Sequence, residues 1–354
     1  MSDFEELIRS WDGFAVVSRF DDVTKSWIFI CLHDLTLGPA SGGTRMKVYS
    51  SPAEGLRDAM RLAEGMTHKW AAADLKYGGG KAVLATERPL EGEERQGLLA
   101  RYGDLIASLG GVFQTGEDMG TTQQDLIAVS RRTRFVHGFD ASGAKADPGP
   151  YTARGVYKGM RAAIEHAFDS RDFSGRSVLI QGVGNVGLEL ARLLAGAGAR
   201  LLLSDIDHQR LEAAATELSA EIVEPDKVRS TVCDVYAPCA VGGTLDRESI
   251  AELGSRVVAG SANNQLGKES DAQRLEERGI VWAPDFIINA GGATAFALLH
   301  DDHKSRDEIL EAVDGIETTI REVLTEARER GESSLATAKR RARRTLDANR
   351  RPAL

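Results

Sequence analysis

Ser177-Val178-Leu179-Ile180-Gln181-Gly182-Val183-Gly184-Asn185-Val186-Gly187 carries a short apolar run into a Gly-x-Gly-x-x-Gly turn. The apolar part reads as a buried strand, and the residues from Asn185 onward as a helix. A second apolar strand, Leu201-Leu202-Leu203-Ser204, ends in Asp205, 18 residues past Gly187. Gly182 permits the tight turn, Gly184 lets backbone approach a pyrophosphate, and Gly187 lets helix pack on strand. The helix start at Asn185 and Val186 offers unpaired N–H groups and a positive dipole end to phosphate. Asp205 is placed to bind both ribose hydroxyls, which a 2′-phosphate would prevent. The glycines alone are a weak signal; strand, helix, second strand and acidic cap together predict a dinucleotide site, for NAD rather than NADP.

The chain has 354 residues, enough for two domains with separate cores. A net charge of −9 argues against nucleic acid or an anionic membrane as partner. The basic run Lys339-Arg340-Arg341-Ala342-Arg343-Arg344 is the local exception, and reads as a solvated or subunit-facing helix side. Three cysteines without paired spacing, Cys31, Cys233 and Cys239, suit free thiols in a reducing compartment. The acidic start Met1-Ser2-Asp3-Phe4-Glu5-Glu6 lacks the order of a signal peptide, and no apolar run approaches a bilayer span, so the expected location is the cytoplasm.

Upstream of the dinucleotide unit the pattern is mixed α/β. Phe14–Val17 and Ser26–Leu32 read as a hairpin, 52–68 and 95–109 as amphipathic helices, and Lys81–Leu84 as a short strand. The apolar hairpin around Trp27 to Leu32 is a candidate subunit surface. The Gly138–Pro150 loop is the expected boundary. Strand candidates at 234–237, 256–259 and 279–282 alternate with helical or polar segments, as a parallel sheet requires. Near the C-terminus, Ile309, Val313, Ile316, Ile320, Val323 and Ala327 form an apolar stripe expected to return to the first domain. The resulting division is 1–148, joined by about 318–354, and 149–317.

Lys81 follows three glycines. A lysine held there with little solvent has a lowered pKa and can act as a base; otherwise the segment is a tight turn with a solvated lysine. It does not fit a phosphate-binding P-loop. By themselves Asp118 reads as a helix N-cap and Asn263-Asn264 as a turn. Seven scattered histidines offer no metal-ligand cluster.

Taken together, ordered segments resemble the amino-acid dehydrogenase family that includes leucine, valine, phenylalanine and glutamate dehydrogenases, above all the branch acting on apolar amino acids. They are Gly42-Gly43-Thr44-Arg45, Met66-Thr67-His68-Lys69, Gly78-Gly79-Gly80-Lys81, Glu117-Asp118-Met119-Gly120-Thr121 and Tyr151–Val156, followed by Gly182–Gly187, Tyr236–Ala240, Gly260–Gln265 and Pro284–Gly292. The resemblance implies an N-terminal α/β catalytic and oligomerisation domain and a Rossmann-type NAD-binding domain, with the active site in the cleft between them. It implies NAD-dependent oxidative deamination of an L-amino acid to a 2-oxo acid and ammonia, in either direction, by a homo-oligomer.

Carried over residue by residue, Lys69 binds the substrate carboxylate with the Gly43 backbone nearby, Lys81 activates water, and Asp118 shuttles protons to and from the amine. Thr152, Asn263 and Asn289 fall near the nicotinamide, Asn264 near the substrate, and Cys239 and Ala240 in a cofactor-lining loop. For Cys239 a small packed thiol is the simpler reading.

Glutamate-specific members carry lysine where this chain has Ser41, so glutamate is expected to be a poor substrate. Ala293 and Phe296 depart from the leucine and valine pattern of the family. Small Ser41 and Ala293 widen the pocket, and Phe296 either narrows its far end or offers an aromatic face, which favours phenylalanine or another aromatic over branched aliphatics. Two rivals remain. A 2-hydroxy-acid dehydrogenase would want a histidine–arginine pair instead of two lysines and an aspartate. A non-catalytic NAD and amino-acid binding protein would have no need to keep a base.

Overall fold

The computed structural model describes residues 3–139, 147–299 and 304–350. The chain divides into two compact units, 1–146 with 342–354, and 147–341. Most of the expected boundary loop, residues 140–146, lies outside the described residues.

The first unit is built on a mixed six-stranded sheet. Its strands are β1 (Ala15–Asp21), β2 (Ser26–Asp34), β3 (Ala40–Ser41), β4 (Thr44–Val48), β5 (Gly78–Thr86) and β6 (Phe113–Gln114). β1 and β2 form the expected hairpin, and β5 runs antiparallel to β2 along its other side. Strand alternation sorts β2 between two faces: Phe29 and Cys31 join Leu56, Met60 and Val83, while Ile28, Ile30 and Leu32 join Leu98, Tyr102, Ile106 and Phe113. The helix Pro52–Ala72 therefore covers one face and Gly92–Ser108 the other. Ser51 caps the first, its hydroxyl accepting the Glu54 N–H at 3.3 Å, with Pro52 at the first helical position.

The free edge of β5 is paired by two short strands in succession, β3 against Gly78–Gly79 and β4 against Ala82–Thr86. The break between them is Gly42-Gly43. At the far end of the chain, Ala342 and Leu346 pack with Leu37 against Ala71, in the last turn of Pro52–Ala72.

Trp27–Leu32, whose apolar character suggested a subunit surface, is largely interior. Ile28 to Leu32 are buried, and Trp27 packs on Phe4, Phe20 and Phe29.

The second unit holds β7 (Ser177–Gln181), β8 (Arg200–Ser204), β9 (Glu221–Ile222), β10 (Cys233–Pro238), β11 (Ser255–Val258) and β12 (Val281–Trp282). All neighbours are parallel, in the order β12-β11-β10-β7-β8-β9. That is the doubly wound dinucleotide order, whose direction reverses between β7 and β10. Continuous apolar runs such as Val178–Ile180 and Leu201–Leu203 are what strands buried on both faces require.

One expectation is corrected. The stripe Ile309 to Ala327 lies on the helix Arg306–Arg330, which packs within the second unit on the helix Gly149–Phe168. Gly155 and Gly159 admit Ile316 and Ile320 so closely that an added Cβ would press on them, and Arg154 and Lys158 both pair with Asp314. Periodicity identified the buried face but not its partner, so the chain rejoins the first unit at 342 rather than 318. The basic run is also less solvated than expected. In the helix Ser334–Asn349, Arg340 pairs with Glu326 and Glu332, and Arg341 with Glu322 and Glu326.

Among the described residues, no helix is long and apolar enough to cross a membrane, no group of three His, Cys, Asp or Glu is arranged to hold a metal, and the three cysteines are free.

Candidate active site

In the first unit the glycine run before Lys81 is not a turn. Gly78 to Lys81 form the start of β5, buried throughout. Glycine is needed because neighbours press on the strand: a Cβ at Gly79 would overlap Thr67, and one at Gly80 would meet Ala40 and Phe113 at 2.9–3.0 Å. Lys81 thus projects from a rigid central strand, its side chain 6 % exposed.

Its Nζ lies 2.9 Å from Asp118 Oδ1. Asp118 caps no helix; that role falls to Thr122, whose hydroxyl and Asp125 form a capping box. The Asp118 loop is pinned to the β4 region instead. Thr121 Oγ1 donates to the Thr44 carbonyl at 2.8 Å, and the Asp118 N–H donates to Thr121 Oγ1 at 3.0 Å. Gly43 completes the corner, since a Cβ there would come within 2.9 Å of Asp118 Cβ. Lys69 is half-buried in the last turn of Pro52–Ala72, flanked by two residues that fix this turn. Thr67 abuts Gly79, and Trp70 Nε1 donates to the Ser41 carbonyl at 2.9 Å. Ser41 itself is buried.

The sequence reading missed Arg45 and what holds it. Arg45 Nε donates to Asp118 Oδ2 at 2.9 Å, and Nη1 to Asp58 Oδ2 at 3.0 Å. Tyr49 donates its hydroxyl to the same Asp58 oxygen at 2.7 Å, and Arg61 reaches Asp58 Oδ1 at 2.8 Å. Arg45 stood in one of the quoted segments; its burial, with the side chain 13 % exposed, is what distinguishes it from a solvated arginine. Burial pushes the Lys81 ammonium below its ordinary pKa; Asp118 opposes this and Arg45 adds to it. Burial alone would raise the Asp118 carboxyl, but Lys81 and Arg45 outweigh it and hold it low.

In the second unit the glycine turn lies at the β7–β10 switch point. Gly182 has φ +98°, and Cβ atoms at Gly182 or Gly187 would strike Ala240 or the Gly182 carbonyl. Gly184 differs: within 4 Å an added Cβ would meet only Arg210 Nη1 among the described residues, at 3.7 Å. The backbone is therefore open to a ligand at the start of the helix Asn185–Gly196, as a bound pyrophosphate requires.

Asp205 Oδ2 accepts the Val183 N–H at 2.8 Å, and Oδ1 the Asp207 N–H at 2.9 Å. Each oxygen keeps a further lone pair for a hydroxyl. Asp147, also missed from sequence, accepts from both the Gly149 N–H and Asn185 Nδ2 at 2.8 Å, tying two helix starts together. Cys239 and Ala240 follow β10 beside this turn, the Cys239 N–H donating to the Gln181 carbonyl at 2.8 Å; burial raises the thiol pKa, as suits a packed group.

Asn289 Nδ2 donates to Asn263 Oδ1 at 2.8 Å, leaving its own Oδ1 buried without a hydrogen-bond partner among the described residues. Asn264 is in the left-handed region, φ +52°. Thr152 Oγ1 donates to the Pro148 carbonyl at 2.9 Å and touches Gly292. Ala293 and Phe296 are half-buried on the helix Gly291–Leu299. These residues fit a nicotinamide dinucleotide: an open phosphate cradle, an acidic ribose position and an unsatisfied amide oxygen.

Residues 17–135 match the family described as Glu/Leu/Phe/Val dehydrogenase, dimerisation domain, and residues 202–349 match Glutamate/Leucine/Phenylalanine/Valine dehydrogenase. The chain is 42 % identical over 352 residues to leucine dehydrogenase of Thermoactinomyces intermedius, covering 99 % of this chain and 92 % of that protein. It is 38 % identical over 334 residues to phenylalanine dehydrogenase of Lysinibacillus sphaericus, covering 92 % and 87 %. The crystal structure of L-tryptophan dehydrogenase from Nostoc punctiforme superposes with a TM-score of 0.84 at 34 % identity, covering 98 % of this chain and 99 % of that one. With a doubly wound second unit and a buried lysine–aspartate pair in the first, the chain belongs to the glutamate, leucine, phenylalanine and valine dehydrogenase family of amino-acid dehydrogenases.

Proposed function

We infer that the protein catalyses reversible, NAD-dependent oxidative deamination of an apolar or aromatic L-amino acid to the 2-oxo acid and ammonia. The observation that carries this is the buried Lys81–Asp118 pair at 2.9 Å, since neither binding nor folding needs a desolvated lysine facing an aspartate.

In this reading Lys69 holds the substrate carboxylate and the Gly43 backbone lies beside it. Asp118 takes a proton from the substrate amine. The bound cofactor supplies the acceptor for the hydride that leaves Cα. Lys81, in its neutral form, then draws a proton from water as the oxygen attacks the substrate imine carbon. Asp118 returns its proton to nitrogen, the hydroxyl proton of the adduct passes to solvent as the carbonyl forms, and the C–N bond breaks to release ammonia. Asn264 orients the amine or carboxylate, while Thr152, Asn263 and Asn289 hold the nicotinamide end. Gly182, Gly184, Asn185, Val186 and Gly187 hold the pyrophosphate, and Cys239 and Ala240 line the cofactor. Asp205 binds the adenosine ribose and selects NAD over NADP.

Ser41, Ala293 and Phe296 support an aromatic substrate such as phenylalanine. A branched-chain substrate is the second reading, favoured by the 42 % identity to a leucine dehydrogenase. The deciding experiment is NADH formation at alkaline pH with phenylalanine, tryptophan, leucine and valine, with NADP in parallel. Higher kcat/KM for the aromatics supports the first reading, and a clear win for leucine or valine overturns it. Silence across the panel with NAD still bound would mean an unusual amino acid or a non-catalytic binder. The matched dimerisation domain supports a homo-oligomer, and the free cysteines support a cytoplasmic location.

A further inference from the structure

Asp118 is gripped on both sides. Oδ1 faces Lys81 at 2.9 Å and Oδ2 accepts Arg45 Nε at 2.9 Å, so the two oxygens are chemically distinct. Arg45 is itself fixed by a second carboxylate, Asp58, which holds Tyr49 and Arg61 as well. The result is a row of alternating charge, Arg61, Asp58, Arg45, Asp118, Lys81, running from an exposed guanidinium to a buried amine. A bridge of this shape needs a planar fork whose Nε and Nη1 reach different carboxylates, which a lysine cannot provide.

We propose that Arg45, clamped by Asp58, is a positioning residue that occupies one oxygen of Asp118 and leaves the other, beside Lys81, to exchange protons with the substrate. This rests on the amino-acid dehydrogenase reading and adds to it which oxygen works and what fixes it.

Protonating Oδ2 would place a proton against a permanent guanidinium; protonating Oδ1 sets it beside Lys81, which can lose its charge. The row also sets the electrostatic balance at Lys81. The charged and titratable groups facing it are Asp118 from the 117–121 loop, Arg45 of β4, and Asp58 with its partners Arg61 and Tyr49. Arg45 disfavours the Lys81 proton and Asp58 favours it. The two ends of the clamp therefore act in opposite senses on the same amine.

The test compares Arg45→Gln, Arg45→Lys and Asp58→Asn with wild type, by kcat and KM for the best amino acid from about pH 6 to 11, a span bracketing the ordinary lysine range. Competitive acetic anhydride labelling of Lys81, read by peptide mass spectrometry, follows the amine without turnover. Arg45→Gln should lower kcat roughly 10- to 100-fold with KM for NAD unchanged, the range seen when a supporting partner is lost. It should also move the acid limb and the Lys81 labelling midpoint to higher pH. Asp58→Asn should move both to lower pH, and Arg45→Lys should retain the charge effect without restoring kcat. Equal-sign shifts in the two variants, or a lower melting temperature with both midpoints unmoved, would reduce Arg45 to a structural ion pair and overturn the proposal. If the wild type turns over no amino acid, the parent reading fails, and opposite labelling shifts still decide the clamp.

Discussion

Lys81 carries the most specific expectation at the scale of single residues. Its pKa lies below the ordinary 10.5 because burial disfavours the charged form. If Lys81 is the proposed base, its neutral amine is the active species in the forward direction, and kcat should rise with pH through a midpoint below 10.5. Lys81→Ala should lower kcat by about 10²–10⁴-fold, the range of a lost general base. NAD affinity, followed by quenching of protein fluorescence, should change less than about twofold, because Lys81 lies in the other unit from the dinucleotide cradle. A parallel loss of NAD binding would mean the lysine matters for folding. Arg45, by contrast, could not be weighed from sequence. Its partners are 13 and 73 residues away, and nothing in a one-dimensional pattern separates a buried guanidinium from a solvated one.

Elements add constraints that residues alone do not show. The dinucleotide turn was legible because its strand, glycines, helix and acidic cap are all local. The run Gly78–Gly80 was legible as important but not as a strand: its glycines answer to Thr67, Ala40 and Phe113 across the sheet. Gly187→Ala follows from the same geometry, since its Cβ would strike the Gly182 carbonyl. It should weaken NAD binding at least tenfold by titration calorimetry while leaving amino-acid binding intact. Elsewhere in the first unit, Asp21 anchors the β1–β2 turn to the helix Gly92–Ser108. It accepts from Thr24 and pairs with Arg101, which lowers its pKa to about 2. A carboxylate whose folded pKa is depressed contributes stability above its unfolded value and loses it as pH falls through the folded one. Asp21→Asn should therefore cost about 2–3 kcal/mol in urea melts at neutral pH, less than for a fully buried pair because Arg101 keeps some exposure. The difference should narrow as pH falls from 3.8 towards 2.

For the whole molecule, the division into two units was legible from composition and motif order, but the ownership of the C-terminal helices was not. An amphipathic stripe reports that a face is buried, and the helix Gly149–Phe168 claimed it. Two units with separate cores make a single unfolding free energy ill-defined. NAD at about 100 times its Kd should stabilise the unit that binds it by about 2.7 kcal/mol. For a unit of this size that raises its calorimetric transition by roughly 5–10 °C. No shift at saturating NAD would contradict the assigned cradle.

The packing of Ala342 and Leu346 on Ala71 means that the second half of the helix Ser334–Asn349 buttresses the turn that carries Lys69. A stop codon after position 341 would look, on a gene map, like the trimming of a charged tail. In an assay it should behave as an affinity mutation, raising KM for the amino acid while NAD binding survives.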